Sequence, residues 1–462
     1  MKPLNCLFAC VLFLMVACCA HASESYCFRV YLNNKDLSGY RAEAPEEFLS
    51  DEAVERRRAQ GIPIDASDLP IPQAYIDSLA QMGCLPVVRS KWMSTVVVED
   101  KDSTVAERLK TLSIVDSVKW VWKGTSRTDT TTVDRQEPFI FSKRKALEDY
   151  YGYAGKQIRM LNGDKLHTAG FRGEGIRIAV IDAGFSNVDR IAAFDSMTLI
   201  GTRNFVSPGR SVYVEDDHGT KVLSCMAANL PGLMVGTAPD ASYLLLKSED
   251  TRSEYPIEED YWAAAVEYAD SLGIDLITSS LGYYYFDNKD LTYTYDDLDG
   301  KTAFSTRVAV VAAHKGLLLF SSAGNEGGKF WEKITFPGDA DHIITVGAIN
   351  SEGKKSSFSS KGFTADYRVK PDVVALGTSS CVIDENGGVS FSNGTSFATP
   401  ILAGLGACLL QSLPRQSNIE LIALMLQSAD RYHRADAELG YGIPDVYEAY
   451  QSGIENVYES HQ

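Results

Sequence analysis

The clearest chemical potential in this chain lies in residues 393–400, which read Asn-Gly-Thr-Ser-Phe-Ala-Thr-Pro. A run of small and apolar residues follows Ser396, which predicts a buried helix over about residues 397–413 that this serine opens. Its hydroxyl would lie beside free backbone N–H groups, near the positive end of the helix dipole. That environment suits a nucleophile, although Thr395 or Ser396 could equally be a helix cap. The choice depends on whether the chain supplies a base, an orienting acid and an oxyanion donor.

Three polar residues elsewhere could complete such a site. Asp182 follows the apolar stretch 176–181 and Asn325 comes shortly after the stretch 317–320. Functional residues of parallel sheets gather at these carboxyl ends of strands. His218 stands directly before a predicted helix, and the chain has only 7 histidines. A nucleophilic serine needs a neutral imidazole and an orienting carboxylate, and an amide can donate to the oxyanion. Each residue alone could instead be an ordinary turn or cap residue.

The elements that would position these residues alternate between strands and helices. Short apolar stretches predict strands at residues 176–181, 244–246, 276–278, 317–320 and 343–346. Helical patterns lie between them at residues 220–229, 258–272 and 302–314. This alternation indicates a mainly parallel sheet covered by helices on both faces. We therefore predict an α/β domain over about residues 150–455.

The first part of the chain follows another pattern. Stretches typical of strands occur at residues 26–32, 87–99 and 115–122, and helices are predicted at 50–60, within 70–82 and at 104–112. Such interleaving favours a small α+β unit. The polar, threonine-rich stretch 123–136 lacks apolar periodicity and is typical of an exposed linker. We place the α+β unit and its linker at residues 23–135.

Residues 1–22 have the features of a secretory signal peptide. Lys2 precedes an apolar core at residues 7–17, and Ala-His-Ala at 20–22 forms a cleavage signal. The core is short for a membrane span, and no later stretch reaches about 18 uninterrupted apolar residues. We expect a location outside the cytoplasm, in the periplasm or cell exterior, and no transmembrane segment. Lipid anchoring at Cys18, whose surroundings are similar to a lipoprotein box, is the alternative.

The net charge limits the possible binding partners, and the cysteine content bears on metal sites and disulfides. A formal net charge of −17 argues against nucleic acid or an anionic membrane as a partner. Four of the 9 cysteines lie in the predicted signal segment. The others form no C-x-x-C pair, so they indicate neither a zinc site nor a dense disulfide framework. Cys27 and Cys84, both in the α+β unit, could pair.

Together these motifs resemble those of the subtilisin-like serine proteases, family S8, in the same order along the chain. The matching stretches are Ile-Ala-Val-Ile-Asp-Ala-Gly at 178–184, His-Gly-Thr at 218–220, Ser-Ser-Leu-Gly at 279–282, Ser-Ala-Gly-Asn at 322–325 and Gly-Thr-Ser-Phe-Ala-Thr-Pro at 394–400. The resemblance extends over about residues 157–452. It implies a three-layer α/β/α fold with a mainly parallel sheet, preceded by a small α+β propeptide-like domain.

The resemblance also implies a role for each catalytic residue. Ser396 matches the nucleophile, His218 the general base and acid, and Asp182 the partner that orients the imidazole. Asn325 matches the side chain that stabilises the oxyanion, together with the backbone N–H of Ser396.

Five further residues match the family's substrate-binding positions. The strand edge along which a peptide would lie is formed by Ser280, Leu281 and Gly282. The opposite wall of the pocket for the residue before the scissile bond includes Ala323 and Gly324. Glycine fits here because a peptide backbone must approach closely.

The chain departs from the family pattern near the aspartate and in a metal loop. Ala183 stands where serine or threonine usually follows the aspartate, a change that should not abolish activity. Residues 229–235 replace a loop that often binds calcium and offer one good oxygen side chain. The acidic turn at 296–300 lacks the ligand spacing of a calcium loop. We expect no cofactor for the chemistry and no metal at the site, with structural calcium as a disfavoured alternative.

The expected protein is a secreted serine endopeptidase that hydrolyses polypeptides through an acyl-enzyme on Ser396. The α+β unit would be its propeptide, an intramolecular chaperone and inhibitor removed by a cut within residues 123–151. A permanent interaction domain is the alternative for that unit. For the whole protein, the alternatives are an inactive subtilase-fold binding or adhesion module and a narrow-specificity processing protease.

Overall fold

A computed structural model of the chain describes residues 24–125 and 144–459. The predicted signal peptide with Cys18, and most of the predicted cut region, lie outside the described residues. Within those two ranges, no helix combines the length and the apolar character that a membrane crossing requires.

The N-terminal unit combines an antiparallel sheet with α-helices. Its strands are β1 Glu24–Leu32, β2 Leu85–Ser90, β3 Thr95–Asp100 and β4 Val115–Thr125. Its α-helices are α1 Asp51–Ala59, α2 Gln73–Gln81 and α3 Val105–Leu109. The strand order is β2-β3-β1-β4. The strand-rich stretch 87–99 is thus a hairpin, in which Ser94 takes a positive φ of 51° in the turn.

The second unit contains a seven-stranded sheet in which every neighbouring pair is parallel. Its strands, in chain order, are β5 Arg177–Asp182, β6 Thr198–Asn204, β9 Ser242–Lys247, β10 Leu276–Ser279, β11 Leu318–Ser322, β12 Ile344–Ile349 and β15 Val373–Leu376. Short hairpins add β7 Asn229–Leu230 with β8 Met234–Val235, β13 Gly362–Phe363 with β14 Val369–Lys370, and β16 Ser380–Ile383 with β17 Val389–Ser392. The order across the large sheet is β15-β12-β11-β10-β5-β9-β6.

Helices cover both faces of this sheet. They are α4 Gly155–Arg159, α5 Gly163–Thr168, α6 His218–Ala227, α7 Ile257–Ser271, α8 Phe304–His314, α9 Thr395–Ser412, α10 Asn418–Gln427 and α11 Val446–Glu459. Alternate residues of β5 pack on opposite faces of the sheet, because successive side chains of a strand point to opposite sides. Ile178 and Val180 pack in the core that contains α6 and α9, while Ala179 and Ile181 pack in the core that contains α7 and α8. This confirms the predicted three-layer α/β/α arrangement.

The N-terminal sheet packs with one face on its own helices and with the other on the second unit. Phe28 and Val30 of β1 belong to a core shared with α2 and α3. Cys27 of the same strand belongs instead to the core formed by α7 and α8. Cys84 lies in the first of these cores, and within the described part of the chain no disulfide joins it to Cys27.

Buried ion pairs cross the interface between the two units. Arg29 of β1 donates two hydrogen bonds of 2.7 Å to the Asp260 carboxylate on α7, and the two side chains are only 1% and 3% exposed. The Arg29 guanidinium also lies 3.6 Å from the centre of the Phe304 ring on α8. Further along α7, the Glu267 carboxylate accepts hydrogen bonds from the backbone N–H groups of Lys91 and Trp92 at 2.7 and 3.1 Å. The interface therefore depends on specific charged contacts, since removing one partner leaves a buried charge unpaired.

Candidate active site

Asp182 and His218 form a hydrogen-bonded pair at the carboxyl end of β5. Asp182 is the last residue of that strand and is fully buried, and His218 is the first residue of α6. His218 Nδ1 lies 2.7 Å from Asp182 Oδ1. A carboxylate only accepts, so Nδ1 carries the shared proton and Nε2 is left as the basic nitrogen.

The two carboxylate oxygens of Asp182 differ in their hydrogen bonds. The backbone N–H of Ala183 donates to the same oxygen, Asp182 Oδ1, at 2.8 Å. Among the residues that the structure describes, Asp182 Oδ2 has no hydrogen-bond partner. Ala183 itself has no hydroxyl that could donate to this oxygen.

The charge surroundings of His218 favour its protonated form. Burial lowers the pKa of His218, but the charge and hydrogen bond of Asp182, with Asp216 and Asp217, raise this pKa overall to about 8. The side chain remains 33% exposed. The neutral imidazole that general-base chemistry requires therefore predominates only above about pH 8.

Ser396 lies in the first turn of α9, which begins at Thr395, two residues earlier than predicted. The N-cap residue of this helix is Gly394, so neither Thr395 nor Ser396 is its cap and the cap interpretation of Ser396 is wrong. Its hydroxyl instead donates to the carbonyl of Ser280 at 3.4 Å. The centre of the His218 ring lies 5.9 Å from the centre of the Phe397 ring, which places the imidazole beside this turn. The described hydrogen bonds include none between His218 and Ser396, a contact that often tightens only with substrate.

Asn325 contacts the start of the same helix. Its Oδ1 accepts from the backbone N–H and the hydroxyl of Thr395 at 2.9 and 3.0 Å. A backbone N–H is only a donor, so the amide oxygen must face Thr395 and the amide nitrogen must face away. The two N–H bonds of this exposed side chain are thus not used by Thr395, and the N–H of the next residue, Ser396, has no partner within the helix.

Pro400 and Ser280 together determine the environment of the Ser396 carbonyl. Pro400 lies inside α9, four residues after Ser396, where an ordinary residue would donate its N–H to that carbonyl. The buried hydroxyl of Ser280 donates to it instead, at 2.8 Å. Ser280 and Ser396 therefore bind each other twice, through one hydroxyl–carbonyl contact in each direction.

The predicted substrate-binding residues lie on two neighbouring segments. Ser280, Leu281 and Gly282 continue from β10, and Ala323 and Gly324 continue from the adjacent β11. The Ser322 hydroxyl donates to the carbonyl of Leu281 at 3.1 Å and so links the two segments. The structure thus brings all nine predicted site residues to one edge of the sheet: Asp182, His218, Ser280, Leu281, Gly282, Ala323, Gly324, Asn325 and Ser396.

An acidic cleft beside His218 was not predicted. It has a volume of about 550 Å³ and is lined by His218, Ser280, Leu281 and several carboxylates, among them Glu249 and Glu254. Burial raises the pKa of Glu249 to about 8 and that of Glu254 to about 7. The only signal in the sequence was the Ser-Glu-Asp that follows β9, which periodicity does not connect to the site.

The two segments considered for structural calcium offer few side-chain oxygens that are free to bind an ion. The Asn229 amide donates to Ser196 Oγ at 3.2 Å, and residues 230–235 carry no oxygen-bearing side chains. In the acidic turn, Asp299 accepts from the N–H groups of Lys301 and Thr302, as a capping residue does. In the described ranges no group of three or more His, Cys, Asp or Glu side chains could hold a metal.

A serine at a helix start, next to an imidazole–carboxylate pair and an amide donor, is suited to acyl transfer through the serine oxygen. The comparison with known proteins agrees with this class. Residues 173–442 match the model of the subtilase family, peptidase S8, and residues 27–137 match a peptidase S8 propeptide domain of Bacteroidota.

Individual relatives support the same assignment. Subtilisin E of Bacillus subtilis is 30% identical over 298 residues, which cover 64% of this chain and 70% of that protein. A subtilisin of Bacillus pumilus is 29% identical over 298 residues, which cover 64% of this chain and 98% of that protein. The structure of the prenylagaramide maturation protease PagA has a similar fold, with a TM-score of 0.51 and 22% identity, over 63% of this chain and 98% of that one. The chain belongs to the subtilase family of serine-type peptidases and carries a propeptide domain of that family.

Proposed function

We propose that the protein is a secreted endopeptidase that cleaves polypeptides through a covalent acyl-enzyme on Ser396. The observation that carries this proposal is the 2.7 Å contact between His218 Nδ1 and Asp182 Oδ1, directly beside the helix turn that holds Ser396. The chemistry draws on these side chains and a water molecule, and we propose that it needs no cofactor.

In the first half of the reaction, Ser396 Oγ attacks the scissile carbonyl carbon while His218 Nε2 takes its proton. The carbonyl oxygen becomes an oxyanion, which the Asn325 amide and the Ser396 backbone N–H stabilise. The imidazolium then protonates the leaving nitrogen, the C–N bond breaks and the acyl-enzyme remains. Asp182 stabilises the imidazolium without taking its proton.

The second half repeats these steps with water. His218 Nε2 takes a proton from water as its oxygen attacks the acyl carbon, and the same two donors stabilise the second oxyanion. The imidazolium returns the proton to Ser396 Oγ as the acyl C–O bond breaks. The product is the free carboxylic acid of the substrate's N-terminal fragment.

We propose that the peptide binds in an extended form between the two substrate-binding segments. Ser280, Leu281 and Gly282 would act as the strand edge to which its backbone is added. The glycine at 282 is exposed and leaves room for the approach of a second backbone. Fixing the backbone in this way would bring the scissile carbonyl to Ser396 and Asn325.

The N-terminal unit would act as chaperone and inhibitor of the peptidase unit. Its buried contacts with α7 and α8 hold the two units together, and a slow-folding parallel sheet benefits from a template. We propose a signal peptide at residues 1–22, a propeptide with its linker at 23–135 and a peptidase domain at 150–455. Export outside the cytoplasm follows from the signal peptide.

The experiment is hydrolysis of unfolded casein by the purified full chain, with Ser396→Ala as the matched control. We expect cleavage by the native chain alone, accompanied by a new N-terminus within residues 123–151. Equal hydrolysis by both proteins would refute the role of Ser396. An active form that retains Ser23 as its N-terminus would refute maturation. Inactivity of both proteins would favour a subtilase-fold binding module.

A further inference from the structure

Lys247 is a buried lysine at the end of β9, next to Asp182. It pairs with Asp182 in the register of β5 and β9, and it is only 2% exposed. Two residues earlier on each strand, Leu245 and Val180 pack in the core that contains α6 and α9. Side chains two positions apart point to the same face of a sheet, so Lys247 lies on the face covered by α6, the helix that begins at His218.

The ammonium of Lys247 contacts two acceptors that belong to different segments of the site. Its Nζ donates a short hydrogen bond to the carbonyl of Ala183, directly after Asp182. The same Nζ lies 3.3 Å from a carboxylate oxygen of Glu215, three residues before His218. One buried cation thus joins the turn that follows Asp182 to the loop that leads into His218.

Glu215 has a backbone conformation that such a contact can stabilise. Its φ is 81°, in the left-handed region that residues other than glycine rarely adopt. Backbone strain of this kind persists where surrounding contacts hold it, and it clusters at functional sites. The Glu215 carboxylate contacts two cations, Lys247 at 3.3 Å and Arg210 at 3.0 Å. The contact with Lys247 therefore helps to fix the backbone three residues before His218.

Backbone hydrogen bonds also join the same two segments. The N–H groups of Phe185 and Ser186 donate to the carbonyls of Val212 and Asp216 at 2.8 and 3.0 Å. These bonds hold the course of the loop and do not involve the Lys247 side chain. We therefore expect the loop to keep its overall course without Lys247, and the loss to appear in the alignment of the catalytic side chains.

The charge of Lys247 also acts on the base. The charged groups around His218 include Asp182 on β5, Asp216 and Asp217 on the loop, Lys221 on α6, and Glu249, Asp250, Arg252, Glu254, Glu258 and Asp287 of the cleft. From α9, the uncharged ring of Phe397 faces the imidazole. Carboxylates raise the pKa of His218, and a nearby cation lowers it. Loss of Lys247 leaves the charge of Glu215 less compensated, so it should raise the pKa of His218 further.

We infer that Lys247 is a positioning residue of the catalytic site, which joins the Ala183 carbonyl to the Glu215 carboxylate and so aligns Asp182 with His218. This inference rests on the proposed function. The 2.7 Å hydrogen bond between Asp182 and His218 joins residues of the same two segments, so a shift of either segment changes its length and angle. Lys247 acts through these two segments and not on the reacting atoms.

The test compares Lys247→Met with Lys221→Met, its matched control, by the pH dependence of labelled-casein hydrolysis. Both changes remove a cation near His218, but Lys221 contacts Asp217, four residues earlier, and so joins no distant segments. Both should raise the pKa of His218 and move the profile of kcat/KM to higher pH. Only Lys247→Met should also lower the plateau at high pH, where the imidazole is neutral, by at least about tenfold. Circular dichroism at the assay temperature gives the folded fraction of each variant.

Glu215→Gly provides a second test that leaves the buried lysine in place. Glycine adopts a positive φ without strain, so this variant should fold. It removes the partner of Lys247, so the plateau of kcat/KM should fall as well. It also removes a negative charge, so the profile should move to lower pH, opposite to the shift of Lys247→Met. A loss of plateau that accompanies opposite pH shifts indicates positioning and not a change of charge alone.

Each result decides the inference. An unchanged plateau in folded Lys247→Met or in folded Glu215→Gly overturns it, and if Lys247→Met does not fold, Glu215→Gly decides alone. A plateau that Lys221→Met lowers as much as Lys247→Met also overturns it, because charge alone then explains the loss. Labelling of native Ser396 by a fluorophosphonate separates the two proposals. A labelled, casein-cleaving native chain with an unchanged plateau in the variants overturns only this inference, whereas a native chain without labelling or cleavage means that the proposed function itself has failed.

Discussion

The carbonyl oxygen of Ser396 accepts its hydrogen bond from the Ser280 hydroxyl because Pro400 has no N–H to donate. In α9 the missing N–H of Pro400 removes the usual intrahelical donor, and the Ser280 hydroxyl replaces it at 2.8 Å. Ser280→Ala removes that donor. Both serines are 6% exposed, so water cannot readily take its place.

The expected cost follows from leaving a buried acceptor without a partner. That cost is about 1–3 kcal/mol of the free energy of unfolding. The carbonyl belongs to the nucleophile itself, so kcat should fall as well, by up to about 5- to 150-fold if the same energy is lost from the transition state. Pro400→Ala restores an N–H at the position where Ser396 needs one, so Ser280→Ala should be less harmful in that background.

The assay is a double-mutant cycle over Ser280→Ala and Pro400→Ala. Denaturant unfolding is measured on full chains that also carry Ser396→Ala, which prevents self-cleavage and leaves the carbonyl in place. kcat is measured on the same pairs with Ser396 intact. We expect a coupling energy of about 1 kcal/mol or more between the two sites. Additivity within about 0.5 kcal/mol would refute the reasoning that the hydroxyl replaces the missing N–H.

Three further predictions concern the base, the oxyanion donor and the interface. Because the pKa of His218 is raised to about 8 and the neutral base is needed, kcat/KM should rise about tenfold per pH unit below that value and level off above it. Asp216→Asn should lower the pKa of His218 and so move this profile to lower pH. A profile of the native enzyme that is flat from about pH 6 to 9 would contradict the role of His218 as a base with a raised pKa. Asn325→Asp keeps an acceptor for Thr395 but loses the amide donor. We therefore expect kcat to fall by at least about 10²-fold while the free energy of unfolding stays unchanged. A loss of stability without a loss of kcat would indicate that Asn325 has only a structural role. Arg29→Met leaves the Asp260 carboxylate buried without its cation and should lower the free energy of unfolding by about 3–5 kcal/mol, a loss that Arg29→Met with Asp260→Leu should largely reverse.

Sequence patterns predicted the main framework because its physical basis is local. An apolar strand that ends in a polar residue places Asp182 at the edge of the sheet, and a run of small residues after Ser396 predicts a buried helix. The edge strand β6 was missed, since its sequence Thr-Leu-Ile-Gly-Thr-Arg-Asn has no apolar run and most of its residues are not buried. Periodicity detects burial, and β6 has little. The opposite edge strand, β15, was also missed although its sequence Val-Val-Ala-Leu is an apolar run and is fully buried.

The finer features of the site could not be predicted because distant residues create them. The Ser280–Ser396 contact joins positions 116 residues apart, and nothing local in Ser-Leu-Gly indicates it. Lys247 looks like an ordinary strand end in Leu-Leu-Leu-Lys, and only the folded chain places its ammonium between Ala183 and Glu215. The pairing of Arg29 with Asp260 likewise depends on how the two units pack.

The most direct test of the account is covalent labelling of the full chain by a fluorophosphonate, followed by peptide mapping. The account predicts one modified residue, Ser396, with no labelling of Ser396→Ala and much slower labelling of His218→Ala. A native, folded chain that stays unlabelled, or a label on another serine, would contradict the claim that Ser396 is the nucleophile.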